Sequence, residues 1–223
     1  MVSTPIGNLG DITYRAVSIL KNVYLIAAED TRHSKKLLNY YKIETKMISY
    51  FEHNREIRIP SLISHLIDGL NIAIITDAGT PGISDPGYKL IRAAINTGVR
   101  IESIPGPSAL LVALTASGLP TDRFLFEGFL PPKKGRNKRL SKVKDIDATL
   151  IYYESASRLK RTLNQLYEFF GDRPAVLARE LTKKFEEVKR GTLLQLFNYY
   201  SENKARGECV ILIGKSDKNV YFK

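Results

Sequence analysis

The chain has 223 residues, of which 43% are hydrophobic and 26% charged, enough apolar side chain to build folded cores and exclude wholesale disorder. No run approaches the roughly 18 apolar residues of a membrane span, and the start resembles no signal peptide. The single cysteine, Cys209, excludes an internal disulfide and is typical of a reducing compartment. We therefore expect a cytoplasmic protein with two domains of about 100–120 residues each.

The charge is unevenly distributed along the chain. Residues 1–130 hold 13 basic and 12 acidic side chains, whereas residues 131–223 hold 21 and 11, so nearly all of the net charge of +11 lies in the second half. Lys and Arg side chains bind phosphates and release counterions from nucleic acid, so this excess favours RNA as a partner. A basic surface that serves only solubility is the alternative.

In the first half, short apolar runs alternate with helical patterns. Strands are predicted at 23–28, 71–76 and 99–104, and helices at 13–21, 31–41, 55–68, 87–97 and 108–117. The strands are nearly unbroken in apolar character, which indicates a mostly parallel sheet with helices on both faces. Pro60 predicts a late start or a kink in the third helix.

The second half predicts a further α/β domain, with a mixed sheet. Gly118-Leu119-Pro120 closes the first domain, so the predicted domains are 1–120 and 121–223. Strands are predicted at 124–130, 148–153, 175–179, 185–191 and 208–213, and helices at 156–170 and 192–200. The predicted fold class is thus α/β in two domains.

Polar or Gly/Pro-rich clusters directly follow the predicted strands. These clusters lie at 4–8, 29–32, 77–87, 105–108, 154–155 and 180–182. In open α/β sheets ligands bind at the carboxyl ends of the strands, so we expect these clusters to converge on one rim. Such a rim favours an enzyme.

The loop 77–87 is the most informative of these clusters. It contains Gly79, Gly82 and Gly87 together with Pro81 and Pro86. Glycine lets backbone groups approach a ligand closely, and proline reduces the entropy lost on binding. An ordinary turn is the less favoured interpretation, because most connections have about 4–6 residues. The loop therefore predicts a small-molecule site.

Three other clusters have structural explanations that remain open. The Glu-Asp-Thr-Arg segment at 29–32 fits a helix start capped by Asp30 as well as a functional rim. Ser108 fits a helix cap or a ligand contact. The stretch 133–144, with seven cations in twelve residues, fits a solvated face or a clamp for RNA phosphates.

Signatures of several common ligands are missing from the sequence. Neither G-x-x-x-x-G-K-[ST] nor a G-x-G-x-x-G after the first strand occurs, which disfavours nucleoside triphosphate and nicotinamide sites. The three histidines, His33, His53 and His65, are scattered and no Cys/His cluster accompanies them, so no metal is expected.

Eight motifs follow one another between residue 3 and about residue 214. They are Thr-Pro-Ile-Gly-Asn-Leu-Gly-Asp-Ile-Thr at 4–13, Ala-Glu-Asp-Thr-Arg at 28–32, Ser-Asp-Pro-Gly at 84–87, Pro-Gly-Pro-Ser-Ala at 105–109, Gly-Phe-Leu-Pro at 128–131, Tyr-Glu-Ser at 153–155 with Arg158, Arg-Glu-Leu-Thr-Lys at 179–183 and Gly-Glu at 207–208. Together they resemble the tetrapyrrole methylase superfamily, and within it the ribosomal RNA small subunit methyltransferase I family.

The resemblance implies a tetrapyrrole-methylase-like fold, with S-adenosylmethionine bound in a cleft between two α/β domains of a homodimer. It further implies methylation of the ribose 2′-oxygen of a cytidine in the decoding region of 16S rRNA, with the 30S subunit as partner. By its motifs it places cofactor contacts at Pro5, Gly82, Ile83, Ser84, Asp85, Tyr88, Ser108, Ala109, Tyr153, Glu154 and Leu181.

RNA contact and proton transfer complete the predicted site. The candidate RNA-contacting residues are Asn8, Lys133, Lys134, Arg136, Arg139 and Arg158. Removal of the ribose hydroxyl proton needs a base, which we seek among Glu29, Asp30 and Glu180. Arg32 is predicted to hold a phosphate or to orient a carboxylate.

The chain departs from the family pattern at both ends. Only Met1, Val2 and Ser3 precede the Thr-Pro-Ile-Gly motif, where family members carry several apolar residues, so we expect a truncated start or an unusually short first strand. The chain also ends nine residues after Gly214, where many members continue into a helical segment. Two alternatives stay open: a related methylase acting on a tetrapyrrole or a protein side chain, and a non-catalytic RNA-binding ribosome-assembly factor.

Overall fold

The computed structural model describes residues 1–217 and 219–222. They divide into two compact units, the first ending at Ser108 and the second beginning at Ala109. The division therefore lies twelve residues before the boundary predicted after residue 120, because the helix from Ala109 to Ser117 contacts strands of the second unit. Within the described residues, no helix is long and apolar enough to cross a membrane.

The first unit is a small parallel sheet covered by helices. Its elements are α1 (Tyr14–Asn22), β1 (Leu25–Ala28), α2 (Thr31–Tyr40), β2 (Met47–Ser49), α3 (Arg55–Ile67), β3 (Ile72–Ile75) and α4 (Tyr88–Asn96). The strand order is β2-β1-β3, and both pairings are parallel.

The central strand β1 is buried along its whole length. Ile26 and Ala28 belong to one apolar core, shared with α1 and α2, while Leu25 and Ala27 belong to a second, shared with α3 and α4. Alternate side chains of a strand point to opposite faces, so both faces of the sheet are covered. This arrangement confirms the predicted parallel sheet with helices on both sides.

Residues 99–104 do not form the predicted strand. Among the described residues of this segment only Ile104 forms a bridge, an isolated parallel one with Val2, while the Met1 ammonium donates to the Glu102 carbonyl at 2.7 Å and Arg100, Glu102 and Ser103 are exposed. The N-terminal segment lies beside β3 at this point, with the Val2 amide donating to the Ile74 carbonyl at 3.0 Å. The start of the chain thus contributes an extended segment to the sheet.

Helix α3 starts where it was predicted, despite Pro60 inside it. The amides of Ile57 and Arg58 donate to the carbonyl of Asn54, which starts the helix one turn before the proline. Of the two predicted effects of Pro60, the late start is therefore wrong: the helix begins at Arg55 and contains the proline, which cannot donate the i→i−4 hydrogen bond to Glu56 and crowds its carbonyl. The short strand β2 was missed because only three residues pair and all are half-buried.

The second unit contains a five-stranded mixed sheet. Its elements are α5 (Ala109–Ser117), β4 (Phe124–Phe129), α6 (Arg136–Val143), β5 (Thr149–Ser155), α7 (Ala156–Phe170), β6 (Pro174–Arg179), β7 (Glu187–Thr192), α8 (Leu193–Glu202) and β8 (Glu208–Ile213). The strand order is β4-β5-β8-β6-β7, in which only the β4–β5 pairing is parallel. The predicted mixed-sheet domain is confirmed.

Helix α6 lies within the basic stretch 133–144, where no helix was predicted. Its buried positions are Arg136, Leu140 and Val143, which follow helical spacing. An arginine at a core position hides this amphipathic pattern from a search for apolar side chains. The exposed side of the helix carries Lys138 and Lys142.

Candidate active site

Two loops at the carboxyl end of the first sheet are tied together by reciprocal hydrogen bonds. Glu29 and Asp30 follow β1, and Asp77 follows β3. The Asp77 amide donates to Glu29 Oε2 at 3.4 Å, and the Asp30 amide donates to Asp77 Oδ1 at 3.1 Å. Because β1 and β3 are parallel neighbours, their following residues meet at one edge, as expected for a ligand-binding rim.

Glu29 occupies a site that favours its protonated form. Its partial burial raises the pKa of the carboxyl, and the nearby carboxylates of Asp77 and Asp30 raise it further. The hydrogen bond from the Asp77 amide opposes this shift. A carboxylate with a raised pKa is a better proton acceptor near neutral pH than an ordinary glutamate.

Asp30 has the opposite character although it is the next residue. It caps α2, with Oδ1 accepting from the Arg32 amide at 2.8 Å and Oδ2 from the Arg32 guanidinium at 2.7 Å. These hydrogen bonds hold the pKa of Asp30 well below its usual range. Asp30 therefore stays ionised and is a weak base, while Arg32 orients its carboxylate.

The N-terminal segment joins the rim through the loop 77–87. Thr4 and Gly79 exchange backbone hydrogen bonds of 2.9 and 3.0 Å, and Thr4 Oγ1 donates to the Thr76 carbonyl at 3.1 Å. Thr80 Oγ1 donates to the carbonyl of Pro107 at 3.3 Å. The predicted clusters at 4–8, 29–32, 77–87 and 105–108 are thus brought together within the first unit.

Close packing at the rim explains one of its glycines. A Cβ on Gly106 would lie 2.9 Å from the Cβ of Ser3, too close for any other residue without a shift of backbone. Asn8 lies further out, at an exposed turn whose Gly10 amide donates to Asn8 Oδ1 at 3.0 Å. Pro5, which lies between Ser3 and Asn8 in the chain, is half-buried.

The loop 77–87 has an unusual backbone conformation. Gly79, Gly82 and Gly87 have positive φ values of 85°, 85° and 151°, and Ser84 has a φ of 65°. Non-glycine residues in this region cost about 1–3 kcal/mol, and such strain concentrates at ligand sites. The segment 82–84 is exposed, which leaves its backbone accessible.

Apolar side chains flank this exposed backbone. Ile83 is 38% exposed and Tyr88, the first residue of α4, is 68% exposed. Asp85 is half-buried between them in the chain. At the end of β3, Thr76 Oγ1 is buried and lacks a hydrogen-bond partner among the residues that the structure describes. The loop therefore combines apolar surface, accessible peptide groups and a carboxylate.

A second cluster lies at one edge of the sheet in the second unit, where β5 and β6 end and β8 begins. Ser155 pairs with Glu208, and Arg179 pairs with Cys209. Burial of Cys209 raises the pKa of its thiol to about 12, so it is not a nucleophile.

Glu154 is an internal anchor of this edge. Its side chain is fully buried, and Oε1 accepts from the Ser155 amide at 2.8 Å and from Arg158 Nε at 2.7 Å. Oε2 accepts from Thr162 Oγ1 at 2.7 Å. These partners fix the carboxylate to the first turns of α7, so the side chain predicted to contact the cofactor has a structural task. Thr162 carried no signal in the sequence, since it is one of many polar residues on a helix.

Arg136 differs from its prediction as an RNA-contacting residue. It is 3% exposed, its guanidinium donates to Thr162 Oγ1 at 2.7 Å and to Gln165, and it lies 3.8 Å from Glu154 Oε2. A guanidinium with these partners is not available to a phosphate, so this prediction is corrected. Arg136 instead fixes α6 to α7.

The other predicted RNA-contacting side chains of this unit differ in availability. Lys133 and Lys134 are exposed. Arg139 is 42% exposed and pairs with Glu127 at 2.6 Å, while Arg158 is 34% exposed and pairs with Glu154. The two lysines are therefore the most accessible of the set.

Glu180 and Leu181 lie in a strained turn after β6. Glu180 and Thr182 have φ values of 50° and 64°. Glu180 Oε1 accepts from Lys183 Nζ at 3.0 Å, and a Cβ on Gly207 would lie only 1.8 Å from the same oxygen. Gly207 is therefore required for the position of Glu180. Leu181 is 6% exposed and belongs to the interior.

Tyr153 fixes the start of α5. Its hydroxyl accepts the Leu110 amide at 3.1 Å, and its ring packs edge-on against Phe126 and Phe129. Ala109, at the first position of this helix, is half-buried, as is Ser108 at the end of the first unit. Among the described residues, no group of three or more His, Cys, Asp or Glu side chains is arranged to hold a metal.

Known structures share the fold at low sequence identity. A diphthine synthase is 13% identical, with a TM-score of 0.75 over 96% of this chain and 88% of its own. A uroporphyrin-III-C-methyltransferase from Thermus thermophilus is 20% identical, with a TM-score of 0.68 over 96% and 92% of the two chains. At these identities the likeness concerns the fold alone.

Sequence comparison identifies the family. The family model described as Tetrapyrrole (Corrin/Porphyrin) Methylases matches residues 1–196. The Ribosomal RNA small subunit methyltransferase I of Halalkalibacterium halodurans is 50% identical over 220 residues, which are 98% of this chain and 76% of that protein. The protein of the same name from a Synechocystis species is 48% identical over 98% of this chain and 80% of its own. The chain therefore belongs to the tetrapyrrole methylase superfamily and, within it, to the ribosomal RNA small subunit methyltransferase I family of S-adenosylmethionine-dependent methyltransferases.

Proposed function

We propose that this protein methylates the ribose 2′-oxygen of a cytidine in the decoding region of 16S rRNA, with the 30S subunit as substrate. The observation that carries the proposal is the 46–50% identity, over 96–98% of the chain, to proteins whose name specifies small-subunit ribosomal RNA. The excess of ten positive charges in residues 131–223 supports a polyanionic substrate.

The loop 77–87 fits the methyl donor in its chemistry. The exposed segment 82–84 brings peptide groups to the surface for an adenosine or an amino-acid group, although the Ile83 amide already donates to the Thr80 carbonyl, and Ile83 and Tyr88 offer apolar surface. Asp85 supplies a carboxylate suited to a cationic ligand. Thr76 Oγ1, buried and without a hydrogen-bond partner in the described part of the chain, is a further polar atom at this edge. We propose that these residues hold S-adenosylmethionine, together with Pro5, Ser108 and Ala109.

Glu29 is the proposed base. When bound, the cofactor supplies an electrophilic methyl group on a positively charged sulfur. The ribose hydroxyl proton passes to Glu29 Oε1, while Oε2 is held by the Asp77 amide. A positioned base of this kind contributes about 10²–10⁴-fold to the rate, and alignment of the reacting atoms contributes about 7–11 kcal/mol. Asp30 does not compete for the proton, because Arg32 holds it ionised.

The exposed cations beside α6 are the proposed RNA-positioning surface. Lys138, Arg139 and Lys142 line a groove of about 490 Å³ that also includes Glu127 and Leu125 of β4. Lys133 and Lys134 precede the helix and are exposed. Contacts from such side chains to phosphates fix the register of an RNA without reading its sequence. Asn8 and Arg158 complete the proposed set.

Methyl transfer onto 30S subunits tests the proposal. Subunits lacking the modification are incubated with tritiated S-adenosylmethionine, and the labelled rRNA is digested with alkali. A 2′-O-methyl group blocks alkaline cleavage, so we expect the label in a resistant dinucleotide that begins with cytidine. Label in a base, in ribosomal protein or in uroporphyrinogen III contradicts the proposal. RNA binding without affinity for S-adenosylmethionine supports the non-catalytic assembly factor instead.

We also propose that the enzyme is a cytoplasmic homodimer. The resemblance to the family supports this proposal. Sedimentation at the concentrations used for methylation measures the state of assembly, and a monomer with full activity contradicts the dimer. Fractionation of the cells that make the protein measures its location.

A further inference from the structure

The turn between β6 and β7 presents an aromatic ring among cations. Phe185 is 67% exposed, and Lys183 and Lys184 on its N-terminal side are exposed as well. Lys184 Nζ lies 5.7 Å from the centre of the Phe185 ring. An exposed phenylalanine gains little from folding, since its apolar surface stays in water. Most of the ring surface is therefore available to a ligand.

The turn is held in one conformation by its own hydrogen bonds. The Thr182 amide donates to Glu186 Oε2 at 2.5 Å, the Lys183 amide to the Glu180 carbonyl at 3.0 Å and the Glu186 amide to the Lys183 carbonyl at 3.1 Å. The positive φ values of Glu180 and Thr182 belong to the same turn. A ring carried on an ordered turn loses little conformational entropy on binding.

The charges around the ring favour a polyanion. Besides Lys183 and Lys184, the exposed Lys204 and Arg206 lie in the segment that leads to Gly207, which packs against Glu180. Of the acidic residues of the turn, Glu180 pairs with Lys183, and the exposed Glu186 accepts from the Thr182 amide, so Lys184 is the cation nearest the ring and Lys204 and Arg206 add further positive charge. An aromatic ring flanked by cations is the arrangement by which proteins hold single-stranded nucleic acid.

We propose that Phe185 stacks on an unpaired base of the RNA substrate and that Lys184 binds a neighbouring phosphate. The inference rests on the proposed function, which supplies an RNA substrate, and it adds a specific contact with that RNA. Stacking on a phenylalanine accepts any base, so the contact positions the strand rather than selecting its sequence.

Methylation kinetics on 30S subunits provide the first test. Phe185→Ala is expected to raise KM about 5- to 150-fold, the range for one base stacked on an aromatic side chain, with kcat nearly unchanged. Phe185→Tyr keeps the ring and should retain the wild-type KM, whereas Phe185→Leu keeps apolar character without the ring and should resemble Phe185→Ala. Tyr14→Ala, which removes a 98% exposed ring from the first unit, is the matched control and should change nothing.

Binding of RNA oligonucleotides provides the second test and does not depend on catalysis. Single-stranded fragments of the substrate region are prepared with one abasic nucleotide at each position in turn. We expect one position at which removal of the base weakens binding to the wild type but not to Phe185→Ala. An equal effect of Phe185→Ala at every position, with no such coupling, overturns the proposal.

Further outcomes separate this inference from the proposed function. Label transfer to rRNA by the wild type, with an unchanged KM in Phe185→Ala, contradicts the stacking role alone. Absence of rRNA labelling by a wild type that binds S-adenosylmethionine contradicts the proposed function. A change of sedimentation in Phe185→Ala shows that the ring contacts a second copy of the chain and overturns stacking. Thermal melting and cofactor affinity of each variant verify that it is folded.

Discussion

Glu29 and Glu154 lie at the ends of two strands, one in each unit, and have opposite surroundings. Glu29 is half-buried beside two other carboxylates, and its pKa is raised. Glu154 is fully buried, and its oxygens accept from Arg158, Thr162 and a backbone amide. The same type of side chain is therefore the proposed proton acceptor in one unit and a structural anchor in the other. The comparison teaches that partners, rather than residue type or strand position, determine the role.

The largest expected effect is on catalysis through Glu29. Glu29→Gln keeps the shape and the acceptor for the Asp77 amide but removes the basic carboxylate, so we expect kcat to fall about 10²–10⁴-fold with cofactor affinity unchanged. Single-turnover methyl transfer and cofactor titration measure the two quantities. Asp30→Asn is the matched control and should have a small effect, because the Asp30 carboxylate accepts protons poorly. An equal fall of kcat in both variants would contradict the different roles proposed for Glu29 and Asp30.

The pH dependence of the wild type sharpens this assignment. Glu29 must be ionised to accept a proton, and its folded pKa lies above the ordinary value, so the rate should rise with pH through that raised pKa. The contribution of Glu29 to the free energy of unfolding changes with pH in the opposite direction to the rate. It is fully present below the pKa of Glu29 in the unfolded state and is lost as pH rises through the pKa in the folded state. The dependence of kcat on pH is then measured for the residual activity of Glu29→Gln. If kcat still rises over the same acidic pH range, the titrating group is not Glu29.

The next effect is on stability through Glu154. Glu154→Gln leaves Arg136 and Arg158 without their buried counter-charge, and removal of one partner from a buried ion pair costs about 3–5 kcal/mol. Denaturant unfolding measures the change. Glu127→Gln is the comparison, since Glu127 pairs with the half-exposed Arg139 and should cost about 1 kcal/mol or less. A stable Glu154→Gln protein that has lost only cofactor binding would return Glu154 to the ligand site.

Gly207→Ala is expected to have a smaller effect on stability and a local effect on Glu180. The new Cβ would lie 1.8 Å from Glu180 Oε1, and the φ of 78° costs an L-residue about 1–2 kcal/mol. Gly98→Ala separates the two causes, because Gly98, after α4, has a φ of 76° and no atom within 4 Å of the added Cβ. We expect both variants to lose similar stability through strain, and Gly207→Ala alone to lose methylation activity as well, because a displaced Glu180 would move the turn that carries Phe185. Equal activity of the two variants would show that the position of Glu180 is unimportant.

The smallest effect is expected from the exposed lysines. Replacement of Lys133, Lys134 and Lys138 by Gln should reduce the slope of log affinity for RNA against log salt by about 2–3 and leave cofactor affinity unchanged. Salt titrations of RNA binding measure the slope. Lys35→Gln with Lys36→Gln, on the exposed side of α2 in the first unit, is the control. A similar decrease of the slope in this control would contradict the proposal that the second unit, rather than the first, positions the RNA.

Much of the architecture could be predicted from periodicity and apolar runs. β1 is predictable because every residue from Leu25 to Ala28 is buried, which leaves an unbroken apolar run. The helix α6 is not, because its inward side contains Arg136, whose partners Thr162 and Gln165 are distant in sequence. Residues 99–104 have the apolar content of a strand, but only Ile104 finds a neighbour with which to pair.

The site was predictable as a set of loops rather than as a set of contacts. The positions after strands marked Glu29, Asp30 and the loop 77–87, because parallel strands end at a common edge. The raised pKa of Glu29 comes mainly from burial, and Asp77, which lies 48 residues away and both donates its amide to this carboxyl and repels it, approaches only when β3 pairs with β1. Similarly, the burial of Glu154 depends on helices that pack over it, and motif spacing contains no information on burial.

The reciprocal hydrogen bonds between the two loops of the first unit have a spectroscopic consequence. Each loop contributes one amide proton to a carboxylate of the other, at Asp30 and at Asp77. Protonation of Glu29 weakens the acceptor of the Asp77 amide, so its chemical shift should follow the titration of that carboxyl. A ligand that orders the loop 77–87 should slow the exchange of both amides with deuterium. The exchange rates of these two amide protons therefore report whether a ligand is bound at the loop.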